Sequence, residues 1–304
     1  MPHPLRMELA AVVLALPALV VAMASHGDPP APPPGTPPAA EAGSPAPAGS
    51  PAPSPAPSEP AVATPAEGVV RMEPSSATLR LRMGLKRSFF IYPAVPPVAR
   101  EARAVLLFAG DWGWKPVLQD TASYLASKGR TVIGVDSQDF FTRDMEDVDW
   151  ARDLRTLRDF ANEKAGLPAG TPVLFAGYTW GATMLPFMFN RGGVDGVAGA
   201  LLIGPQHHSN RIFRVTLQMP TSIVPLPKDE EFLTLDEVKR LAPIPVVLMQ
   251  GAQDMESACD DILPLLRGPK QIVNVPGGDR QFHDVRDIYF SLTAQALGWL
   301  EGRH

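Results

Sequence analysis

The sequence predicts an α/β domain built on a mainly parallel sheet with helices on both faces. Two observations carry this. Short apolar runs, AVLLFAG, TVIGVDS, PVLFAGY, VAGALLIGP, PVVLMQG and KQIVNVPGG, recur along residues 104–278, and most end in glycine or a small polar residue. Runs of this kind suit strands buried on both faces. Helix-like segments separate them, and strand and helix alternate about five times, as in a sheet wound with helices.

In chain order, the first feature is LAAVVLALPALVVAMA, Leu9 to Ala24, an uncharged apolar run preceded by Arg6 and closing on the small-x-small pattern Ala22-Met23-Ala24. The run is short for a membrane span, which needs roughly 20 residues. Residues 1–27 are therefore expected to be a secretory signal, with an uncleaved N-terminal anchor as the alternative. No cysteine follows the run, so a lipoprotein-type anchor is not supported. Residues 28–66 hold nearly half of the 35 prolines and no aromatic residue. Such a segment buries too little apolar surface to offset its ordering entropy, and it reads as a disordered, extended Pro/Ala-rich linker. Residues 67–304 suffice for one globular domain with a substantial core.

ATLRLRM and KRSFFIYPA, at residues 77–83 and 86–94, carry β-forming patterns and predict an antiparallel pair at the domain's start. The helix-like segments are Val117 to Lys128, Asp147 to Lys164, Ala182 to Phe189, Cys259 to Leu266 and Asp284 to Leu300. A long, proline-interrupted insertion, Gln206 to Val238, is expected to act as a cap over the carboxyl ends of the strands, where such sheets place their ligand sites. The net charge of -5 implies neither a nucleic-acid partner nor electrostatic attachment to an anionic membrane. The lone cysteine, Cys259, allows no internal disulfide.

The chemistry concentrates in FAGYTWGATMLPF, Phe175 to Phe187. A strand, then Gly177-Tyr178-Thr179-Trp180-Gly181, then a helix is the context of the nucleophile elbow of α/β-hydrolases, with Thr179 where the serine belongs. The central residue of that turn usually has a positive φ, which is strained for a β-branched side chain and costs of order 1–3 kcal/mol. Thr179 keeps a hydroxyl, but its methyl crowds the direction of attack.

Beyond the elbow the match becomes specific. GYTWGATMLPFMFNR resembles the GYSFGA…LPF..NR segment of the VirJ/AcvB bacterial virulence protein family. LLFAGDWGW resembles that family's GDGGW loop, VIGVDSQDFF its GVDSLRYFW stretch, and GAQDMESAC its acidic segment ending in cysteine. The resemblance covers about Ala104 to Leu300. It implies an α/β-hydrolase fold, a periplasmic or otherwise exported location and, for characterised members, hydrolysis of aminoacylated phosphatidylglycerol. The chain also departs from the family. Thr179 replaces the nucleophilic serine, Trp112 replaces a glycine of the oxyanion loop, and PGGDRQFHD puts Asp279 and Arg280 where the family has a histidine pair. Leu248 stands where the family carries a second cysteine. A side chain at Trp112 is expected to crowd the approach of backbone N–H groups to an oxyanion.

The candidate catalytic set is Thr179, Asp254 and His283, in hydrolase chain order. Asp254 follows a strand and is either the triad acid or an ordinary loop carboxylate, with Glu256 as a weaker rival. His283 serves as base only if its loop bends to present it; otherwise it starts a helix. Asp111 is expected to order the oxyanion loop by accepting backbone hydrogen bonds. Trp112, Trp114 and Trp180 form either an aromatic wall to the pocket or core packing, with Asp111, Trp112 and Trp180 as the expected oxyanion and pocket residues. His207 and His208 are adjacent in a loop without a spaced third ligand, so no metal is expected, and no cofactor. Two functions remain open: a non-catalytic module that binds a lipid, a small ester or an envelope protein, and an ester hydrolase with Thr179 as nucleophile. Nucleophile, oxyanion loop and base depart together, and such a site works only as a unit, which favours the first.

Overall fold

The computed structural model describes residues 71–81, 85–95, 102–141, 149–210 and 231–303. The apolar N-terminal segment and the proline-rich linker expected over residues 1–66, and residues 211–230 of the insertion, lie outside the described residues. The chain divides into two units, Met1–Glu59 and Pro60–His304, and all described residues fall in the second.

That unit is organised by an eight-stranded sheet in the order β1-β2-β4-β3-β5-β6-β9-β10. Strands β1 (Ser75–Leu81) and β2 (Leu85–Tyr92) form the expected antiparallel pair at one edge. β2 runs antiparallel to β4 (Val132–Val135). From β4 onward, β3 (Val105–Phe108), β5 (Val173–Tyr178), β6 (Val197–Ile203), β9 (Val246–Gly251) and β10 (Lys270–Val275) are parallel throughout. The runs that form β3, β4, β5, β6 and β9 are buried along their whole length, because both faces of the central strands are covered. KQIVNVPGG also forms a strand, β10, but not the doubly buried one expected: it is the sheet's edge, and only Val275 of it is buried. Along β3, Leu106 and Phe108 enter one core while Val105 and Leu107 enter the other, the period-2 alternation of a strand.

The first core lies under α3 (Trp150–Ala165) and α4 (Trp180–Gly192), the second under α1 (Pro116–Ser127) and α7 (Arg286–Glu301). In the first, Phe108 meets Phe140 edge-on at 5.6 Å and stacks on Phe175 at 6.3 Å. Fully burying one such ring is worth roughly 1.5–3 kcal/mol. Helix α3 starts where Asp149 accepts the N–H of Arg152 at 3.0 Å and stops at Gly166, whose φ of 67° only glycine adopts freely.

Some boundaries differ from the sequence reading. The helix expected over Cys259 to Leu266 is α6 (Cys259–Ile262) followed by a 3-10 turn, Leu263–Leu265, since Pro264 has no N–H to continue the α-helical ladder. A short α2 (Ser137–Phe140) follows β4, capped by Asp136 accepting from the N–H of Gln138 at 3.0 Å. Within the insertion, β7 (His208–Asn210) pairs antiparallel with β8 (Glu231–Leu233), and α5 (Thr234–Arg240) follows. These ends are tied to α4. Asn190 Nδ2 donates to the Glu237 carbonyl and to its Oε2, both at 2.7 Å, and Phe187 meets Phe232 at 4.9 Å.

Candidate functional site

The carboxyl ends of the parallel strands converge on a cavity of about 180 Å³. The loop after β3 contributes Gly110, Asp111, Trp112 and Lys115; the end of β5 contributes Tyr178 and Thr179. The loops after β6, β9 and β10 add Gln206, Glu256 and Arg280.

Thr179 joins β5 to α4 with φ 48° and ψ -111°, the strained conformation expected of an elbow. The glycines make the turn possible. A Cβ on Gly177 would lie 2.5 Å from the Ala182 nitrogen, and one on Gly181 would meet the Phe108 carbonyl oxygen at 2.8 Å. Backbone hydrogen bonds hold the strained residue. Thr179 N–H donates to the Ile203 carbonyl at 2.7 Å, and Thr183 N–H donates to the Thr179 carbonyl at 3.1 Å. The side chain is 4% exposed, and its hydroxyl has no hydrogen-bond partner among the described residues. That hydroxyl abuts Gly110, where any Cβ would collide with it, while the methyl faces Gly204. Asp254 Oδ2 borders the same Gly204, so Thr179 and Asp254 flank one glycine.

The side chain of Asp254 is 3% exposed. Its Oδ1 accepts the Glu256 N–H at 3.1 Å and a hydrogen bond from Arg280 Nη1 at 3.4 Å. The same Nη1 lies 3.3 Å from Glu256 Oε2, whereas Nη2 of Arg280 is buried without a partner among the described residues. The Tyr178 hydroxyl donates to the Arg280 carbonyl at 2.7 Å, fixing the loop that carries the guanidinium. Burial pushes the Tyr178 phenol well above its usual range, so it remains a donor. Arginine has five donors and no acceptor and stays protonated in proteins, so Arg280 cannot take a proton from Thr179.

His283 lies apart from the cavity lining. Phe282, at φ 55°, turns its ring inward to stack on Tyr289 at 4.2 Å and 5°, and the next residue faces out. The His283 side chain is 53% exposed, with Nδ1 2.9 Å from Asp279 Oδ2. Burial alone would raise the Asp279 carboxyl, but this contact and the N–H groups of His283 and Gln281 hold it below the usual carboxylate range.

In the loop after β3, expected to be the oxyanion loop, Gly113 N–H donates to the Gly110 carbonyl at 3.1 Å, and Gln138 Nε2 donates to the Asp111 carbonyl at 2.8 Å. Burial pushes the Asp111 carboxyl up, opposed by hydrogen bonds from its own and the Trp112 backbone N–H and by nearby Arg280 and Lys115. Trp112 is 54% exposed and carries Lys115 Nζ 4.8 Å above its ring, so its side chain forms the cavity's rim. Trp114 packs away from the cavity against Phe90 at 5.1 Å and donates to the Tyr92 hydroxyl at 3.2 Å. Trp180 is buried, donating to Ser209 Oγ at 2.6 Å and meeting Phe141 at 5.0 Å. His207 pairs with Asp261 at 2.8 Å and His208 with Glu231 at 3.2 Å. Cys259 is buried beneath β9, and burial pushes its thiol up to about 12.

Sequence reasoning did not single out Lys115, Tyr178, Gln138 or Gln206, and it registered Arg280 only as a departure from a histidine pattern. The one available signal for Arg280 was its position, after β10 and beside the acid that follows β9.

The family described as bacterial virulence protein (VirJ) matches residues 102–303. No curated protein sequence matches the chain. Among solved structures, an esterase domain from a Rhodothermus marinus protein superposes with a TM-score of 0.53 at 15% identity, covering 76% of this chain and 99% of that one. Est1E from Butyrivibrio proteoclasticus gives 0.54 at 12% identity, covering 73% and 98%. The α/β hydrolase GrgF from Penicillium sp. gives 0.53 at 14%, covering 76% and 99%. Likeness at these identities establishes the α/β-hydrolase fold.

Proposed function

Because the chain belongs to the VirJ family of bacterial virulence proteins, we propose that it is an exported α/β-hydrolase-fold protein that binds its ligand at the former catalytic site without turning it over. The observation that carries this reading is the hydrogen bond from Arg280 to Asp254. In a hydrolase triad the acid orients an imidazole that removes the nucleophile's proton. Arg280 takes the acid's attention and cannot act as a base, and His283 is turned to solvent on Asp279. The strained turn persists without its chemistry, since the glycine contacts and the bonds at Thr179 hold it whichever hydroxyl it bears. The ligand class is a lipid or small ester or its product, or a group on an envelope protein, and the N-terminal apolar run supports a periplasmic location, free or tethered.

A second reading is favoured by one feature: the Thr179 hydroxyl is unpartnered beside the oxyanion loop, as an unengaged nucleophile would be. That reading is an ester hydrolase, acting on an aminoacyl-phosphatidylglycerol or a simpler ester. The full chain should be assayed against p-nitrophenyl acetate and an aminoacyl-phosphatidylglycerol, beside Thr179→Ala and His283→Ala. No turnover above that of the variants is the expected result. Turnover that both substitutions abolish would establish the second reading and sink the first.

A further inference from the structure

We propose that the cavity is a receptor for a carboxylate, gripped by Arg280 and Thr179, an inference that rests on the non-catalytic reading of the same site. The buried unmet groups of the cavity, a guanidinium N–H group and a hydroxyl, can both donate. Arg280 Nη2 and the Thr179 hydroxyl are both buried, both without a partner among the described residues, and both residues line the cavity. A buried donor left unsatisfied costs roughly 1–3 kcal/mol, more when it is charged, so the site gains most from a ligand that brings acceptor oxygens. Lys115 lines the same cavity and has no ion pair among the described residues.

The acceptors, by contrast, are already engaged. Asp254 takes hydrogen bonds from Arg280 and the Glu256 N–H, Glu256 reaches Arg280 Nη1, and Asp111 accepts backbone N–H groups of its own loop. A cationic ligand would have to compete with Arg280 for Asp254 and Glu256.

The charge of the ligand follows from the same groups. With Nη1 turned to Asp254 and Glu256, Arg280 Nη2 and the Thr179 hydroxyl are the donors left for the two oxygens of a carboxylate. Asp254 and Glu256 beside the guanidinium oppose a second negative charge, which disfavours a phosphate dianion relative to a carboxylate. Val117 and Leu118 line an apolar wall that accommodates the first carbons of an acyl chain. The cavity is smaller than the roughly 300–1,000 Å³ usual for drug-sized ligands, so it takes a head group and a short stretch of chain. A carboxylate is the acid half of a cleaved ester. With an arginine beside the triad acid, a site shaped for acyl groups retains the acid.

The test is titration calorimetry on the full chain with hexanoate, methyl hexanoate, hexyl phosphate and hexylamine. Hexanoate should bind at least about tenfold tighter than methyl hexanoate, a difference of about 1.4 kcal/mol, and tighter than the other two. Arg280→Lys keeps a charge against Asp254 but loses the Nη2 donor, and it should lose most of that preference; Lys115→Gln should lose part of it. Equal affinity for hexanoate and methyl hexanoate, a preference for hexyl phosphate or hexylamine, or an unchanged preference in Arg280→Lys would overturn the proposal. Sustained heat from hydrolysis of methyl hexanoate would overturn the non-catalytic reading instead, and absence of both hexanoate binding and hydrolysis would overturn this inference alone.

Discussion

Arg280 Nη1 lies 3.4 Å from Asp254 Oδ1. The proposed triad acid thus holds a guanidinium, a group with donors only. In the same loop Tyr178 donates to the Arg280 carbonyl, Phe282 stacks on Tyr289, and the His283 side chain is half-exposed on Asp279.

Removing the guanidinium leaves Asp254 buried and short of a partner. Arg280→Ala is expected to destabilise the domain by roughly 1–3 kcal/mol, and Arg280→Lys by less because it keeps the charge. Urea denaturation followed by tryptophan fluorescence measures both. The order of the two variants is the informative result, since equal losses would mean that the charge lysine retains does not stabilise Asp254.

The His283–Asp279 contact is a half-exposed pair four residues apart. His283→Ala should therefore change stability by less than about 1 kcal/mol and leave ligand affinity untouched. A large drop in affinity, measured in the same titration as wild type, would bring His283 back into the site.

At Thr179 two effects oppose. Thr179→Ser deletes a buried methyl, costing about 0.8 kcal/mol, but relieves a β-branched side chain at φ 48°. The expected net change in stability is within about 1 kcal/mol of zero, smaller than for a methyl deletion of similar burial in unstrained backbone. On the proposed non-catalytic reading no esterase activity should appear in this variant, because a serine at 179 does not itself supply a base. Thermal melts and an ester assay on one preparation read both outcomes.

Cys259 lies in the core with its thiol pushed up to about 12 by burial. The thiolate is the reactive form, so between pH 7 and pH 9 the folded protein should react with a disulfide reagent far more slowly than the urea-unfolded chain, whose thiol titrates near about 8.5. Comparable rates in the two states would show that this part of the core opens readily.

Much of the sheet was legible because its strands are apolar on both faces, a pattern that needs no partner to be recognised: PVLFAGY and PVVLMQG read as β5 and β9 directly. The elbow was legible because two glycines at fixed spacing have a steric cause, visible in the backbone that crowds Gly177 and Gly181. Helix α5 was not, because it starts within a proline-interrupted insertion and is held by tertiary contacts, above all Glu237 with Asn190 and Arg191 of α4. The three tryptophans separated only in three dimensions: Trp112 on the rim, Trp114 against Phe90 and Tyr92, Trp180 against Phe141. Nothing in their local sequence distinguishes a rim from a core position. The meaning of Arg280 depended on its distance from Asp254, 26 residues away along the chain, and spacing alone does not give that.

The central claim is that no base activates the Thr179 hydroxyl, and a fluorophosphonate tests it most directly, since that reagent phosphonylates activated hydroxyls. The full chain should be incubated with the reagent and its intact mass measured, followed by peptide mapping. The expected result is an unmodified protein, as with Thr179→Ala run alongside. A stoichiometric adduct mapping to Thr179 in the wild-type chain, absent from Thr179→Ala, would contradict the account.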